Sequence, residues 1–133
     1  MKMIPKQDLI IRESMSLPFG GAEIWFEELD ALSVHTEVAA EKFKRDLSAI
    51  RRPSTSSLIA VNLCETLVTE SLADLVVSQL ISVGRIRKVA FVGLTAAMRL
   101  HIGSLLKKRD CFFAYGFFSD YEQAKVWLVS RFQ

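Results

Sequence analysis

The sequence predicts one α/β domain across residues 1–133, with a mixed, mostly parallel sheet, an N-terminal antiparallel hairpin and about four helices. Three observations predict it. From Leu58 onward, apolar runs of strand length alternate with stripes of helical period, joined by a few residues each. That order implies right-handed βαβ crossovers and a parallel sheet. Ahead of it, two strand-like runs flank a loop containing Gly20 and Gly21, which suggests a hairpin. The composition, 50% hydrophobic and 24% charged over 133 residues, suits a chain that buries its own core and argues against disorder.

In chain order, Asp8 to Ser14 read as the first strand, and Pro18, Gly20 and Gly21 as the turn after it. In "AEIWFEEL", Ile24 and Phe26 alternate with Glu23, Trp25 and Glu27, as expected of a half-buried second strand. From Thr36 the period changes: Ala39, Phe43, Leu47 and Ile50 mark a helix, with Thr36 or Ser33 available to cap it. Glu41 and Arg45 stand one turn apart and can pair on its outer face. Pro53 sets its end, because the residue before a proline is pushed out of the α region.

Leu58 to Leu63 read as a strand buried on both faces. Leu72, Leu75, Val76, Leu80 and Val83 form the next helical stripe, closed by Gly84. "KVAFVGL" is a further buried strand, followed by a helix that Thr95 can cap and that carries Met98, Ile102 and Leu105. "CFFAYGFF" is the last strand. Ser119 and Glu122 fit a capping box that opens the final helix, which carries Ala124, Trp127, Leu128 and Arg131.

A net charge of +2 provides no strong field for nucleic acid or a membrane surface, so neither is expected as a partner. The basic groups Arg51-Arg52, Arg85-Arg87-Lys88 and Lys107-Lys108-Arg109 each fall near a helix C-terminus, where the dipole favours cations. Pro5 and nearby charges interrupt any signal-peptide core, and no apolar run is long enough for an integral membrane helix. Cys64 and Cys111 lie far apart in or beside apolar runs, which suggests buried reduced thiols and a cytoplasmic location. His35 and His101 have no Asp, Glu or Cys at ligand spacing, so no metal is expected. With no P-loop, dinucleotide fingerprint or nucleophile elbow, no cofactor and no catalytic residue are expected either.

Four residues remain as binding or regulatory candidates. Thr69 and Ser71 sit where a strand gives way to a helix, and either a cap, supplied by Thr66 or Thr69, or a phosphorylatable switch would use such hydroxyls there. Glu70 and Asp74 would repel a phosphate on Ser71, which favours the cap. Gly93 and Thr95 join a strand to a helix at the carboxyl end of the predicted sheet, where ligands of open α/β sheets bind. With no phosphate or dinucleotide motif present, a tight βα turn is the favoured explanation. Phe112, Phe113, Tyr115, Phe117 and Phe118 crowd one strand, with Trp127 and Phe132 nearby. If four helices do not cover the sheet, an apolar surface near Phe117, Tyr121 and Phe132 is expected to support association.

The segment from about Leu58 to the C-terminus resembles a STAS domain, closest to the sporulation-antagonist-like and CRAL-TRIO-like relatives. "IAVNLCETLVTESLADLV", "RKVAFVGL" and "FFSDYEQAKVWL" carry the resemblance. The last is similar to that group's closing pattern of Phe, Asp, Glu, Ala, Trp and Leu, here Phe118, Asp120, Glu122, Ala124, Trp127 and Leu128. Switch-type members carry Asp-Ser-Ser-Gly at the start of the helix that Thr69 would open, and an anti-sigma factor with kinase activity phosphorylates a serine in it. Here Glu70 stands for the acid and Ser71 for one serine, while Leu72 and Ala73 replace the second serine and the glycine. The resemblance implies a non-catalytic regulatory or protein-interaction module of a bacterial cytoplasm. Its partner would be an anti-sigma-like regulator or a second copy of the chain. The alternatives are a carrier for a small apolar or amphipathic ligand and, less favoured, an enzyme whose residues converge only in space.

Overall fold

The computed structural model describes residues 2–131. Strands β1 (Met15–Phe19) and β2 (Ala22–Glu28) form the antiparallel hairpin. Then α1 (Thr36–Ile50), β3 (Leu58–Asn62), α2 (Glu70–Ile81), β4 (Lys88–Val92), α3 (Ala96–Lys108), β5 (Ala114–Phe118) and α4 (Tyr121–Val129) alternate. The five strands lie in the order β1-β2-β3-β4-β5, and β2 to β5 are parallel. The α/β class, the hairpin and the four helices are as expected.

The hairpin turn is tighter than the sequence suggested. Gly20 and Gly21 alone make it, with φ of 56° and 83°, the two left-handed residues that a type I′ turn requires. The strand therefore runs up to Phe19 and contains Pro18. Asp8 to Ser14 is not the first strand. Lys6–Asp8 form a 3-10 turn and residues 9–14 an irregular arm. Pro18 is tolerated because β1 is an edge strand, where a missing N–H leaves no ladder bond unmade.

Right-handed crossovers place α1, α2 and α3 on one face of the sheet. Phe43, Leu80, Ile102 and Leu106 pack there against Ile59, Val61, Val89 and Phe91. On the other face α4 lies alone across β2 to β5, burying Ala124 and Leu128 against Ile24, Leu58, Ala60 and Ala90. A register row explains why one short helix fits there. Phe26, Ala60, Ala90 and Gly116 are cross-strand partners. The three small residues let α4 approach, and Trp127 sits over Gly116, where an added Cβ would meet the Phe118 ring at 2.9 Å.

β2 is buried on both sides rather than half-buried: Ile24, Trp25, Phe26 and Glu27 are all inside. Three caps differ from expectation. α1 begins after His35 with no side-chain cap, and the Ser33 hydroxyl instead donates to Lys2 O at 2.7 Å. α4 is capped by Asp120, which accepts from Gln123 N at 3.0 Å; Ser119 lies one residue too early and Arg131 lies beyond the helix. α2 stops at Ile81, and Gly84 has no left-handed φ. On α1 the pair one turn apart is Lys42–Asp46, at 2.8 Å, not Glu41–Arg45. Cys111 to Phe113 precede β5 instead of belonging to it.

Each basic group has at least one member with a structural partner. Arg51 donates to Gln79 and Ser82 of the α2 end, and Arg85 to the carbonyls of Ile50 and Ser56. Arg109 pairs with Asp74 at 2.6 Å. Lys88 is buried in β4 and serves α4, not the helix before it. Its ammonium donates to Trp127 O (2.9 Å) and Ser130 O (2.8 Å) and lies 5.0 Å from the Trp127 ring centre. Trp127 O also accepts from Ser130 N at 3.2 Å, so Lys88 reinforces a C-terminal turn that is already closed.

Candidate functional site

The carboxyl ends of β2, β3 and β4 carry the site. Beyond the last residues of β2 and β3, the two loops continue to pair. Ala31 N donates to Cys64 O (2.8 Å), Ser33 N to Glu65 O (3.0 Å) and Leu67 N to Ser33 O (2.8 Å). Three residues of this seam, Ala31, Ser33 and Glu65, hold φ near +55° to +59° without being glycine. Each such residue costs on the order of 1–3 kcal/mol, so the seam persists because its surroundings impose it. Thr66 is the main constraint. Its buried hydroxyl donates to Leu29 O (2.7 Å) and accepts from Leu32 N (3.1 Å), riveting one loop to the other.

Val34 and Leu67 project from the seam, 36% and 42% exposed. Beside Leu67 lies an open crevice of ≈ 270 Å³ between the β3–α2 and β4–α3 loops, lined among others by Glu65, Thr66, Gly93, Thr95 and Met98. Gly93 is required there: its φ is +87°, and a Cβ would stand 2.4 Å from Cys64 Sγ. Its own N–H is occupied, donating to Phe118 O at 3.0 Å. Thr95 caps α3 by accepting from Met98 N at 3.2 Å. Two of the four sequence candidates thus share this crevice, as loop geometry and a helix cap. The charged side chain of the lining is Glu65, which does not favour an anion.

Thr69 and Ser71 fall in a second, neighbouring depression, between the first turns of α1 and α2 and lined also by Glu37 and Lys44. Thr69 is the cap of α2, accepting from Leu72 N at 3.2 Å. Ser71 is exposed in the first turn, and its hydroxyl makes no hydrogen bond among the described residues. The hydroxyls between β3 and the first turn of α2 therefore have three different fates: Thr66 is a buried rivet, Thr69 a cap, and Ser71 is unengaged.

On the α4 side of the same sheet edge, Glu28 gathers three donors that sequence reasoning did not single out. The Tyr121 hydroxyl donates to Glu28 Oε1, as does Asn62 Nδ2 at 3.2 Å, and Arg12 approaches Oε2 at 3.3 Å. Burial first, and then Glu28, hold the Tyr121 hydroxyl protonated far above its ordinary range. Nothing in the spacing of Arg12, Glu28, Asn62 and Tyr121 signals their meeting; only the sheet order brings them together. The cluster is internally satisfied and ties the N-terminal arm, two strands and α4 to one point.

A second buried cluster lies under α1. Glu27 is 0% exposed and accepts from Trp25 Nε1 at 2.9 Å. Its Oε2 has no hydrogen-bond partner among the described residues and stands 3.9 Å from Lys42 Nζ. Lys42 is committed elsewhere, to Ser14 Oγ (2.7 Å) and Asp46 Oδ2 (2.8 Å). Burial, reinforced by Asp46, pushes the Glu27 carboxyl up to about 9, so it is neutral at pH 7 and the contact with Lys42 is not an ion pair. Burial acts against Asp46 too, but its closeness to Glu27 and its hydrogen bonds with Lys42 and Ser14 outweigh it, and its carboxyl titrates below the ordinary value.

Cys64 and Cys111 are half-buried, less enclosed than expected. Burial raises both thiols above their ordinary value, and Asp30 and Glu65 add to the effect at Cys64. Neither is an activated nucleophile, since reactivity follows the thiolate. Among the described residues no group of three or more His, Cys, Asp or Glu side chains could hold a metal ion, and no helix is long and apolar enough to cross a membrane. No protein-family model, curated protein or solved structure matches this chain.

Proposed function

We propose that this protein is a non-catalytic, STAS-like interaction module of a bacterial cytoplasm, which binds a regulatory protein at the carboxyl edge of its sheet. One observation carries the reading: a strained loop seam, cross-linked by hydrogen bonds, presents Val34 and Leu67 to solvent. Strain held by surrounding structure is a mark of sites kept for a purpose. Exposed apolar side chains on a rigid support lose little entropy on binding, which suits a protein partner.

The carrier alternative needs room between helices and sheet. Phe43, Phe91, Leu80, Ile102 and Leu106 fill that space. The crevice at the edge, at ≈ 270 Å³, is open and smaller than the roughly 300–1,000 Å³ of small-molecule pockets. An enzyme would need an activated group; here the Tyr121 hydroxyl is held protonated, Thr69 and Thr95 cap helices, and Glu28 is paired with Arg12.

A photo-crosslinking amino acid at position 67, compared with one at exposed Ser48 on α1, tests the reading in the native host. A discrete adduct formed from position 67 and absent from position 48 is expected. Adducts equal at both positions, or none at either, would overturn it. Ser71 is expected to carry no phosphate in the same cells, because Glu70 and Asp74 flank it and Leu72 and Ala73 break the switch pattern. A stoichiometric phosphate there by intact mass would replace constitutive binding with a switch.

A further inference from the structure

The two edges of the sheet are unequal. In β1 the residues paired across the two-residue turn are Phe19 with Ala22, so the backbone groups of Ser16 and Pro18 face outward. Pro18 has no N–H, and the edge is blunted. In β5 the pattern is anchored at both ends. Ala114 N donates to Arg87 O and Phe118 O accepts from Gly93 N. Ala114, Gly116 and Phe118 therefore bond toward β4, and the N–H and C=O groups of Tyr115 and Phe117 face outward. Among the described residues no strand pairs with that edge. The strand "AYGFF" carries no charge, proline or bulge, the devices that keep edges apart.

We infer that β5 pairs with β5 of a second copy, antiparallel about a two-fold axis at Gly116, making one continuous ten-stranded sheet. This register uses every outward group: Tyr115 exchanges two hydrogen bonds with Phe117 of the other copy, and Phe117 two with its Tyr115, four in all. The side chains are self-complementary in the same register. On the three-helix face aromatic meets aromatic, Tyr115 opposite Phe117 at both ends. On the α4 face large meets small, Phe118 opposite Ala114, with glycine opposite glycine at the axis. Such pairs are the unit of sheet stabilisation.

Charge agrees with the arrangement. An antiparallel pairing sets the segment before β5 in one copy beside the segment after β5 in the other. Exposed Lys107, Lys108 and Arg109 lie before the strand with one acid, Asp110, and exposed Asp120 and Glu122 lie after it, Glu122 also paired with Lys125. A second copy is the occupant rather than an unrelated peptide, because size and charge match the strand's own reverse. An aromatic surface is involved, as the sequence suggested, but through the backbone edge of β5. Phe117 itself is stacked on Phe91 and only half-exposed, Tyr121 is held by Glu28, and Phe132 lies outside the described residues.

The inference rests on the interaction-module reading, and the two fail separately because the partner edge is tested at position 67 and this one at β5. Amide exchange of the unmodified protein, read by NMR at about 2 μM and about 200 μM beside light scattering, tests it. The expected result is a dimer mass at the higher concentration, with exchange at Tyr115 and Phe117 slowed about tenfold or more and Ser16 unchanged. Three results would overturn it: a monomer at both concentrations, a dimer in which Tyr115 and Phe117 still exchange fast, or protection of both amides in the monomer. Tyr115→Pro removes one outward donor without touching the β4 ladder, and it is expected to shift the mass to monomer. A Tyr115→Leu control, expected to remain dimeric, separates that effect from loss of the ring.

Discussion

Replacing Glu27 with glutamine is expected to stabilise the protein at neutral pH, although a buried hydrogen-bonded carboxyl would ordinarily be left alone. The carboxyl titrates near 9 in the folded protein against 4.5 as its ordinary value. A carboxyl whose folded pKa is raised binds its proton more tightly in the folded state. Its contribution to stability is therefore full below about 4.5, declines as pH rises, and is fully lost above about 9. At pH 7 the loss spans about 2.5 pH units at about 1.4 kcal/mol each, or about 3.5 kcal/mol. Glutamine has the same shape, keeps an acceptor for Trp25 Nε1, and does not ionise in the unfolded chain. Its amide N–H₂ group faces the side of Lys42 and Asp46 and recovers only part of that loss, so a net gain of about 1–3 kcal/mol at pH 7.5 is expected, shrinking toward zero at pH 4.5. Urea unfolding midpoints at pH 5, 7 and 8.5 measure it. If the variant is less stable at every pH and the wild type shows no decline from pH 5 to 8.5, Glu27 is ionised and paired with Lys42, and the neutral-acid assignment is refuted.

Thr66→Val is expected to cost about 2–3 kcal/mol, because it leaves Leu29 O and Leu32 N without their buried partner; thermal unfolding would show it, and amide exchange at Ala31 and Ser33 would rise with it. Gly93→Ala is expected to lower stability by about 3 kcal/mol or to prevent folding, since it combines a φ of +87° with a Cβ 2.4 Å from Cys64 Sγ. An unchanged melting temperature would show that the β3–α2 loop gives way easily. Cys64 and Cys111 are expected to react with a thiol reagent more slowly than a free peptide thiol at pH 7.5, because burial holds both protonated. Rapid labelling of the native protein would contradict this.

Much of the architecture is legible without coordinates because it rests on period. Leu58 to Asn62 and Lys88 to Val92 are too apolar for anything but doubly covered strands, and the stripes through Leu72–Leu80 and Met98–Leu105 have only one period that buries them. The cap at Thr95 is local chemistry and read directly, while of the two candidates for α2, Thr66 and Thr69, the structure uses Thr69. Where two local solutions compete, the sequence is ambiguous. Ser119 and Asp120 both cap helices well, and the choice of Asp120 depends on where β5 ends. The run Asp8–Ser14 has strand-like residues, but its backbone has no strand to pair with, since β2 is already taken by Met15–Phe19.

The sequence by itself determined the helices and core strands, their order, the parallel core and the start of α3, because each depends on residues within a turn or two of one another. The tertiary structure alone decided which side chains meet. Arg12, Glu28, Asn62 and Tyr121 come from four segments and converge only once the sheet is in order. Glu27 becomes a neutral acid only when α1 closes over β2, and Thr66 becomes a rivet instead of a helix cap only when two loops pair beyond their strands. The open edge at β5 is a consequence of sheet order, which no local pattern records, because hydrogen-bonding direction is set by the neighbouring strand and not by the residue itself.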